Sequence, residues 1–268
     1  MASSLPCALA IGGLDPGGGA GIAADLRAFA AAGVFGCAAI AVLTVQSTAG
    51  LRRARAVPAP EVTAQVQEVI AHQRVRAVKV GALGHGANVR AVARLMVQHA
   101  DIPFVVDTPI RPTSGHARLL AREGVAVLRK ELLPHATIVT LNTEEVHVLL
   151  GTRVRTVQDA REAALQLGRE GPRAVVVKGG HMTGRDATDV VAIGGDVVEI
   201  QARRLSVTPI HGTGCTFAAL IAGRLAHSSS ARGDRRAIIA ALRWAKRIHH
   251  AALERAAEVG DGLRVLTF

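Results

Sequence analysis

"CALAIGGLDPGGGAGIAADLRAFAAAG" spans residues 7–33, and the fold follows from how it is read. Its first seven residues, 7–13, are an apolar run closed by two glycines, the pattern of a strand buried on both faces. Residues 19–33 then carry apolar positions at helical spacing and stop at Gly33. Strand, glycine turn and helix make half of a βαβ unit, and the alternation continues along the chain.

Residues 37–46 ("CAAIAVLTVQ") read as a second strand, followed by a polar loop and a helix over 59–73. Further strands are expected over 76–83, 102–108, 136–142 and 173–181, with helices over 87–99, 116–133, 143–150 and 156–169 between them. Two runs at 189–193 and 196–201 flank Gly194-Gly195, a hairpin signal. An apolar helix after Cys215 and an Arg-rich helix over 234–257 complete the chain. The expected class is therefore α/β, a mostly parallel sheet covered by helices on both faces, with an antiparallel hairpin at one edge. One domain over 1–268 is the economical division.

The composition narrows the function classes. The formal charge is +11, yet 28 of the 32 basic residues are Arg and they are dispersed rather than gathered into a patch. With no Tyr and a single Trp to stack on bases, nucleic-acid binding is not expected; an anionic small substrate fits the charge as well. Cys7, Cys37 and Cys215 contain no C-x-x-C pair, which argues against a disulfide framework or zinc site and for a reducing cytosol. Neither a signal peptide nor a membrane span is indicated, so a cytoplasmic location is expected.

Ligands of open α/β sheets collect at the carboxyl ends of the strands. Gly19-x-Gly21-x-x-Ala24 formally matches a dinucleotide fingerprint, but the second strand ends in Thr44-Val45-Gln46 and lacks the carboxylate that would hold a ribose. There is no Walker-type lysine loop either. What remains is a glycine loop that lets backbone approach a small ligand, with Asp15 and Asp25 as polar handles. Gln46, at the end of a buried strand, offers a donor and an acceptor that complement an aminopyrimidine edge. Asn142 and Glu145 form N-x-x-E at a strand–helix junction, either as a helix cap or as a holder of hydrated Mg²⁺. Asp107 ends the strand "FVVD" and can serve as a second metal-side carboxylate, while Lys178 ends "VVVK" and can meet a phosphate.

In "HGTGCTF" (211–217), Gly212 and Gly214 let backbone N–H groups converge at a helix start, an anion site. The same field favours the thiolate of Cys215, as a base or as a nucleophile. A cysteine phosphatase would need an Arg six residues on, where Ile221 stands. A cysteine hydrolase would need His211, which reads as lying on the outer side of the turn.

These segments together resemble the hydroxymethylpyrimidine/phosphomethylpyrimidine kinases of thiamine biosynthesis, in the ribokinase-like superfamily. The likeness runs through "DPGGGAGIAADL", "LTVQSTAG", "VKVGALG", "VVDT", "LNTEE", "VVVKGGH" and "HGTGCTF", in order and at matching spacing over essentially the whole chain. It implies a ribokinase-like three-layer α/β/α fold and a homodimer. The implied reaction is ATP- and Mg²⁺-dependent phosphorylation of 4-amino-5-hydroxymethyl-2-methylpyrimidine, then of its monophosphate. By position, Gly13, Asp25 and Gln46 match the pyrimidine-binding residues and Ala82 the pocket wall. Asn142 and Lys178 fall on the nucleotide side, with Glu145 and Asp107 toward the metal. Gly212, Thr213, Gly214 and Cys215 match the anion hole, with Cys215 as the base that takes the hydroxyl proton. A pyridoxal kinase on the same fold, or a non-catalytic pyrimidine-binding regulator, are the alternatives. The chain departs from the family where a K-S-G-D segment reads Thr113-Ser114-Gly115-His116, at Pro209-Ile210, and in the C-terminal "VGDGLRVLTF".

Overall fold

Uninterrupted Val, Ile and Ala runs have no polar face to turn to water, so they assemble in the middle of one sheet with helices on either side. In the computed structural model, which describes residues 5–107, 109–110, 118–206, 209–228 and 234–268, that sheet has nine strands. They are β1 (Cys7–Leu14), β2 (Phe35–Ser47), β3 (Gly50–Ala56), β4 (Val75–Val80), β5 (Phe104–Asp107), β6 (Ile138–Leu141), β7 (Ala174–Val177), β8 (Asp186–Ile193) and β9 (Asp196–Arg203). The order is β3-β2-β1-β4-β5-β6-β7-β8-β9, parallel from β2 through β7. The β8–β9 hairpin closes one edge in antiparallel fashion, as the Gly194-Gly195 signal predicts. A two-residue pair, β10 (Ile210–His211) with β11 (Arg264–Val265), lies apart.

Successive strand residues face opposite layers. Leu9, Ile11, Phe104, Val106, Val139, Leu141, Val175 and Val177 face one core. That core is shared with helices α2 (Ala59–His72), α3 (Gly86–Gln98), α5 (Thr143–Leu150) and α6 (Val157–Gly168). Ala8, Ala10, Ala77, Val105, Ile138 and Val176 face the other, under α1 (Gly21–Ala31), α7 (Thr213–Leu225) and α8 (Arg235–Glu254). The small alanines on that face let α1 and α7 lie close to the central strands, which carries their N-termini up to the strand ends.

Two expectations need correction. The stretch after β2 is not a polar loop: β3 pairs antiparallel with β2 as a second antiparallel edge. Its exposed Arg52, Arg53 and Arg55 disguise it in the sequence and protect it as an edge strand. The expected helix over 116–133 begins outside the described residues; within them it is a short α4 (Arg122–Val127). It then widens into a π-turn at Leu128–Leu132 and tightens to a 3-10 turn at Leu133–His135. Pro134 removes a backbone donor and ends regular winding there. Cys7 and Cys37 are unbridged, as expected, although their sulfurs lie 3.4 Å apart. No helix among the described residues is long and apolar enough to cross a membrane.

Candidate active site

β1, β2 and β4 end beside the glycine loop and the N-terminus of α7, and a cleft of about 380 Å³ opens between them. It is lined by Gly13, Asp15, Ala20, Gly21, Thr44, Gln46, Lys79, Ala82, Pro109, Leu119 and Cys215. Four expected site residues thus meet there from four separate segments: Gly13, Gln46, Ala82 and Cys215. Another cleft, of about 430 Å³, opens beside Leu165, Arg169 and Gly194, and no expected site residue lines it.

The α7 turn is shaped by glycine. Gly212 caps the helix at φ +76°, and a Cβ there would stand 1.9 Å from the Gly19 carbonyl oxygen. The glycine loop and the α7 turn therefore fit backbone to backbone. The first amides of α7 have no intrahelical acceptor, which is the requirement for an anion site. His249 of α8 binds the Thr213 carbonyl (3.0 Å) through Nε2. Burial first, and then the nearby Lys246 ammonium, lower the imidazole to about 3, so it is neutral and donates.

His211 is not on the outer side of the turn. It is buried, its Nε2 lying 2.8 Å from Asp15 Oδ2 and 3.2 Å from Gln46 Nε2. Asp15 also accepts from the Gly17 and Ala20 amides, so it ties the glycine loop to this histidine. Burial works against its charge, but the His211 contact and those amides hold the carboxyl below its usual range.

Asp25, expected as a pyrimidine contact, does not line the cleft. It is fully buried and binds Lys79 Nζ at 2.9 Å, and it is Lys79 that lines the cleft. Burial raises Asp25 to about 6 even with the lysine beside it. For Lys79, burial pulls the other way, but Asp25 and neighbouring charges keep it above its ordinary value and protonated.

A second cluster lies along the ends of β5, β6 and β7. Lys178 Nζ is 2.9 Å from Asp107 Oδ1 and 4.0 Å from Glu145 Oε2, and Thr140 donates to the same Asp107 oxygen at 2.9 Å. Asn142 and Glu145 form a reciprocal capping box, with bonds of 2.8 and 2.7 Å, so the cap reading of N-x-x-E is realised. Glu145 nonetheless faces the lysine. Burial, followed by the pull of Lys178 and the push of Asp107, leaves its carboxyl raised to about 7. A Cβ on Gly214 would stand 3.2 Å from Lys178 Nζ, so this cluster borders the α7 turn. Further out, Asp189 accepts from the Gly179 amide (2.8 Å) and pairs with Lys246 (2.8 Å), fixing the loop after Lys178.

No group of three metal-ligating side chains occurs among the described residues. Asp107 and Glu145 are hard oxygen donors already sharing a lysine. They suit a Mg²⁺ that arrives on phosphates and is touched through its waters, not a protein-built cage.

Cys215 departs most from expectation. Burial pushes its thiol up to about 11; Lys79 pulls it down, and Asp107 and Asp25 push it up again. A thiol raised this far is protonated at neutral pH. The altered 113–116 loop lies outside the described residues.

Lys79, the Asp15–His211 pair and Lys246 were not anticipated. The sequence's one hint is scarcity: of only four lysines in the chain, three pair with carboxylates at this end of the sheet.

The chain is similar to known proteins over most of its length. The sequence profile described as phosphomethylpyrimidine kinase matches residues 15–266. A hydroxymethylpyrimidine/phosphomethylpyrimidine kinase of Rhizobium meliloti is 39% identical over 260 residues, covering 95% of this chain and 94% of that one. The Bacillus subtilis pyridoxal kinase in its ADP complex superposes with TM-score 0.87 at 27% identity, over 98% of this chain and 97% of its own. The phosphomethylpyrimidine kinase of Clostridium difficile superposes with TM-score 0.74 at 26% identity, over 90% and 98%. The fold is thus that of the ribokinase-like vitamin kinases, and the chain belongs to the phosphomethylpyrimidine kinase family.

Proposed function

We propose that this chain is an ATP-dependent kinase that phosphorylates 4-amino-5-hydroxymethyl-2-methylpyrimidine, and then its monophosphate, in thiamine biosynthesis. The observation that carries the reading is the cleft in which Gly13, Gln46, Ala82 and Cys215 meet beside an anion-binding helix turn. The small Gly13 and Ala82 leave room for a flat ring, and Gln46 reads its polar edge. The hydroxymethyl group then lies toward Cys215 and the first amides of α7.

Phosphoryl transfer requires in-line positioning and neutralised charge more than covalent chemistry. Gly212 to Cys215 offer backbone donors to the transferring group, and Lys178 offers a point charge. A phosphate-bound Mg²⁺ would add charge neutralisation, held through water by Asp107 and Glu145. Lys178 must leave one carboxylate to meet a phosphate, and its 4.0 Å contact with Glu145 is the weaker of its two. Cys215 receives the hydroxyl proton as a thiolate, the form that the neighbouring Lys79 ammonium favours. The same reading takes residues 1–268 as one kinase domain, acting as a cytoplasmic homodimer.

Incubation with the hydroxymethylpyrimidine and ATP, with mono- and diphosphate products resolved, is expected to yield both. Binding of the pyrimidine without any ATP-dependent product would instead mark a regulator. The close superposition on a pyridoxal kinase favours one second reading, phosphorylation of pyridoxal. A larger kcat/KM for pyridoxal than for the pyrimidine would select it.

A further inference from the structure

Lys79 combines burial with unused bonding capacity. It is 1% exposed, in the middle of the sheet between β1 and β5. An ammonium has three N–H donors. Asp25 Oδ2 takes one, and this is the only hydrogen bond of the Lys79 side chain among the described residues. Buried donors are rarely left unmatched in native proteins, because each costs its desolvation. The opposite oxygen, Asp25 Oδ1, is also buried without a partner. The pair therefore keeps bonding capacity on both partners that the described residues do not fill.

The unmatched end faces the cleft, which Lys79 lines together with Gly13, Gly21, Ala82 and Cys215. Just past the end of β4 only glycine leaves it room: a Cβ on Gly81 would stand 2.8 Å from Nζ. Of the charges acting on Cys215, that of Lys79 is the strongest. Gln46 on β2 and Lys79 on β4 line the same cleft as Cys215. A ring whose polar edge is read by Gln46 therefore turns its other substituents toward Lys79 and Cys215.

We propose that Lys79 donates a hydrogen bond to the hydroxymethyl oxygen that accepts the phosphoryl group, and that Asp25 is the positioning residue that aims it. The inference rests on the pyrimidine kinase reading. In the transfer, the hydroxyl oxygen forms a bond to the γ-phosphorus while the bond from that phosphorus to the β–γ bridging oxygen breaks. Those electrons leave on ADP. The Cys215 thiol first yields its own proton to solvent; the thiolate then takes the hydroxyl proton, and Lys79 keeps its own proton throughout.

Removing Lys79 alone strands a buried carboxylate and risks unfolding, so the test uses Lys79→Met together with Asp25→Leu. Replacing both partners of a buried ion pair by apolar residues is often neutral for stability. Binding is measured by calorimetry for the hydroxymethylpyrimidine and for 4-amino-2,5-dimethylpyrimidine, which lacks only the hydroxyl. A hydrogen bond to a charged donor predicts that the double variant loses roughly 10- to 100-fold affinity for the first ligand. Affinity for the second should change less than about twofold, with kcat reduced and the KM for ATP unchanged. A double variant that keeps the wild-type ratio of the two affinities overturns the proposal and leaves a structural ion pair. Wild-type protein that binds neither ligand overturns the pyrimidine reading itself, and this inference with it. Asp25→Asn, which keeps the lysine, should lower kcat while retaining a preference for the hydroxyl; an unchanged kcat there removes the aiming role.

Discussion

Cys215 shows two physical effects of opposite sign competing at one residue. Sequence position alone puts it in the first turn of α7, where the helix dipole and free amides favour a thiolate. Burial and the carboxylates Asp107 and Asp25 act against this, and they win, at about 11. Alkylation by iodoacetamide in the absence of ligands should therefore be slow at pH 7.5 and rise about tenfold per pH unit to pH 9.5, following the thiolate fraction. Cys7 and Cys37 are buried and contribute little background. A rate already level near pH 7 would restore the activated thiol. The type of residue was legible in "HGTGCTF"; its protonation was not, because the opposing charges come from α1 and β5, remote in sequence. Lys79 was hidden for a related reason. A lysine inside "VRAVKVGAL" reads as a strand residue leaving the core, and only the tertiary pairing with Asp25 shows that it stays inside.

Among the elements, the buried parallel strands were the most legible, since β1, β5, β6 and β7 read as continuous apolar runs. The β8–β9 hairpin was equally plain from its two glycines. β3 was not, because an edge strand that presents arginine to solvent resembles a loop. The winding of 128–135 was masked by a helical apolar period that Pro134 interrupts. What no periodicity could supply is the fit between the glycine loop and α7, which is a contact between backbones. It can be tested directly. Gly212→Ala places a side chain at φ +76° and 1.9 Å from the Gly19 oxygen, so the turn and the loop must separate. A displacement of about 1 Å at reacting groups costs on the order of 100-fold in rate. Gly212→Ala should accordingly lower kcat/KM by about that factor and reduce the melting temperature. Gly180→Ala, whose Cβ meets nothing within 4 Å, should change neither. Equal behaviour of the two variants would deny the turn its shaping role.

Across the whole molecule, buried charge is gathered at one end of the sheet: Asp15–His211, Asp25–Lys79, Asp107–Lys178–Glu145 and Asp189–Lys246. Sites arranged for anionic ligands commonly cost stability in their absence. Glu145 makes that cost measurable, because its carboxyl is raised from 4.5 to about 7 chiefly by burial. The folded state then holds a proton that the unfolded state has released between those two values. Stability from this group is complete below pH 4.5 and is lost as pH rises through 7. A shift of this size corresponds to at most about 3 kcal/mol. Glu145→Gln keeps an oxygen to accept from the Asn142 amide but does not titrate. The variant should match wild type near pH 4.5 and exceed it by several degrees in melting temperature at pH 8, with the gap opening between pH 5 and 7. If the gap closes as pH rises, Lys178 outweighs burial and Glu145 is ionised in the resting site. A gap that does open should shrink when Mg²⁺ and ATP are added, since a cation brought beside the ionised carboxylate stabilises wild type and not the glutamine variant.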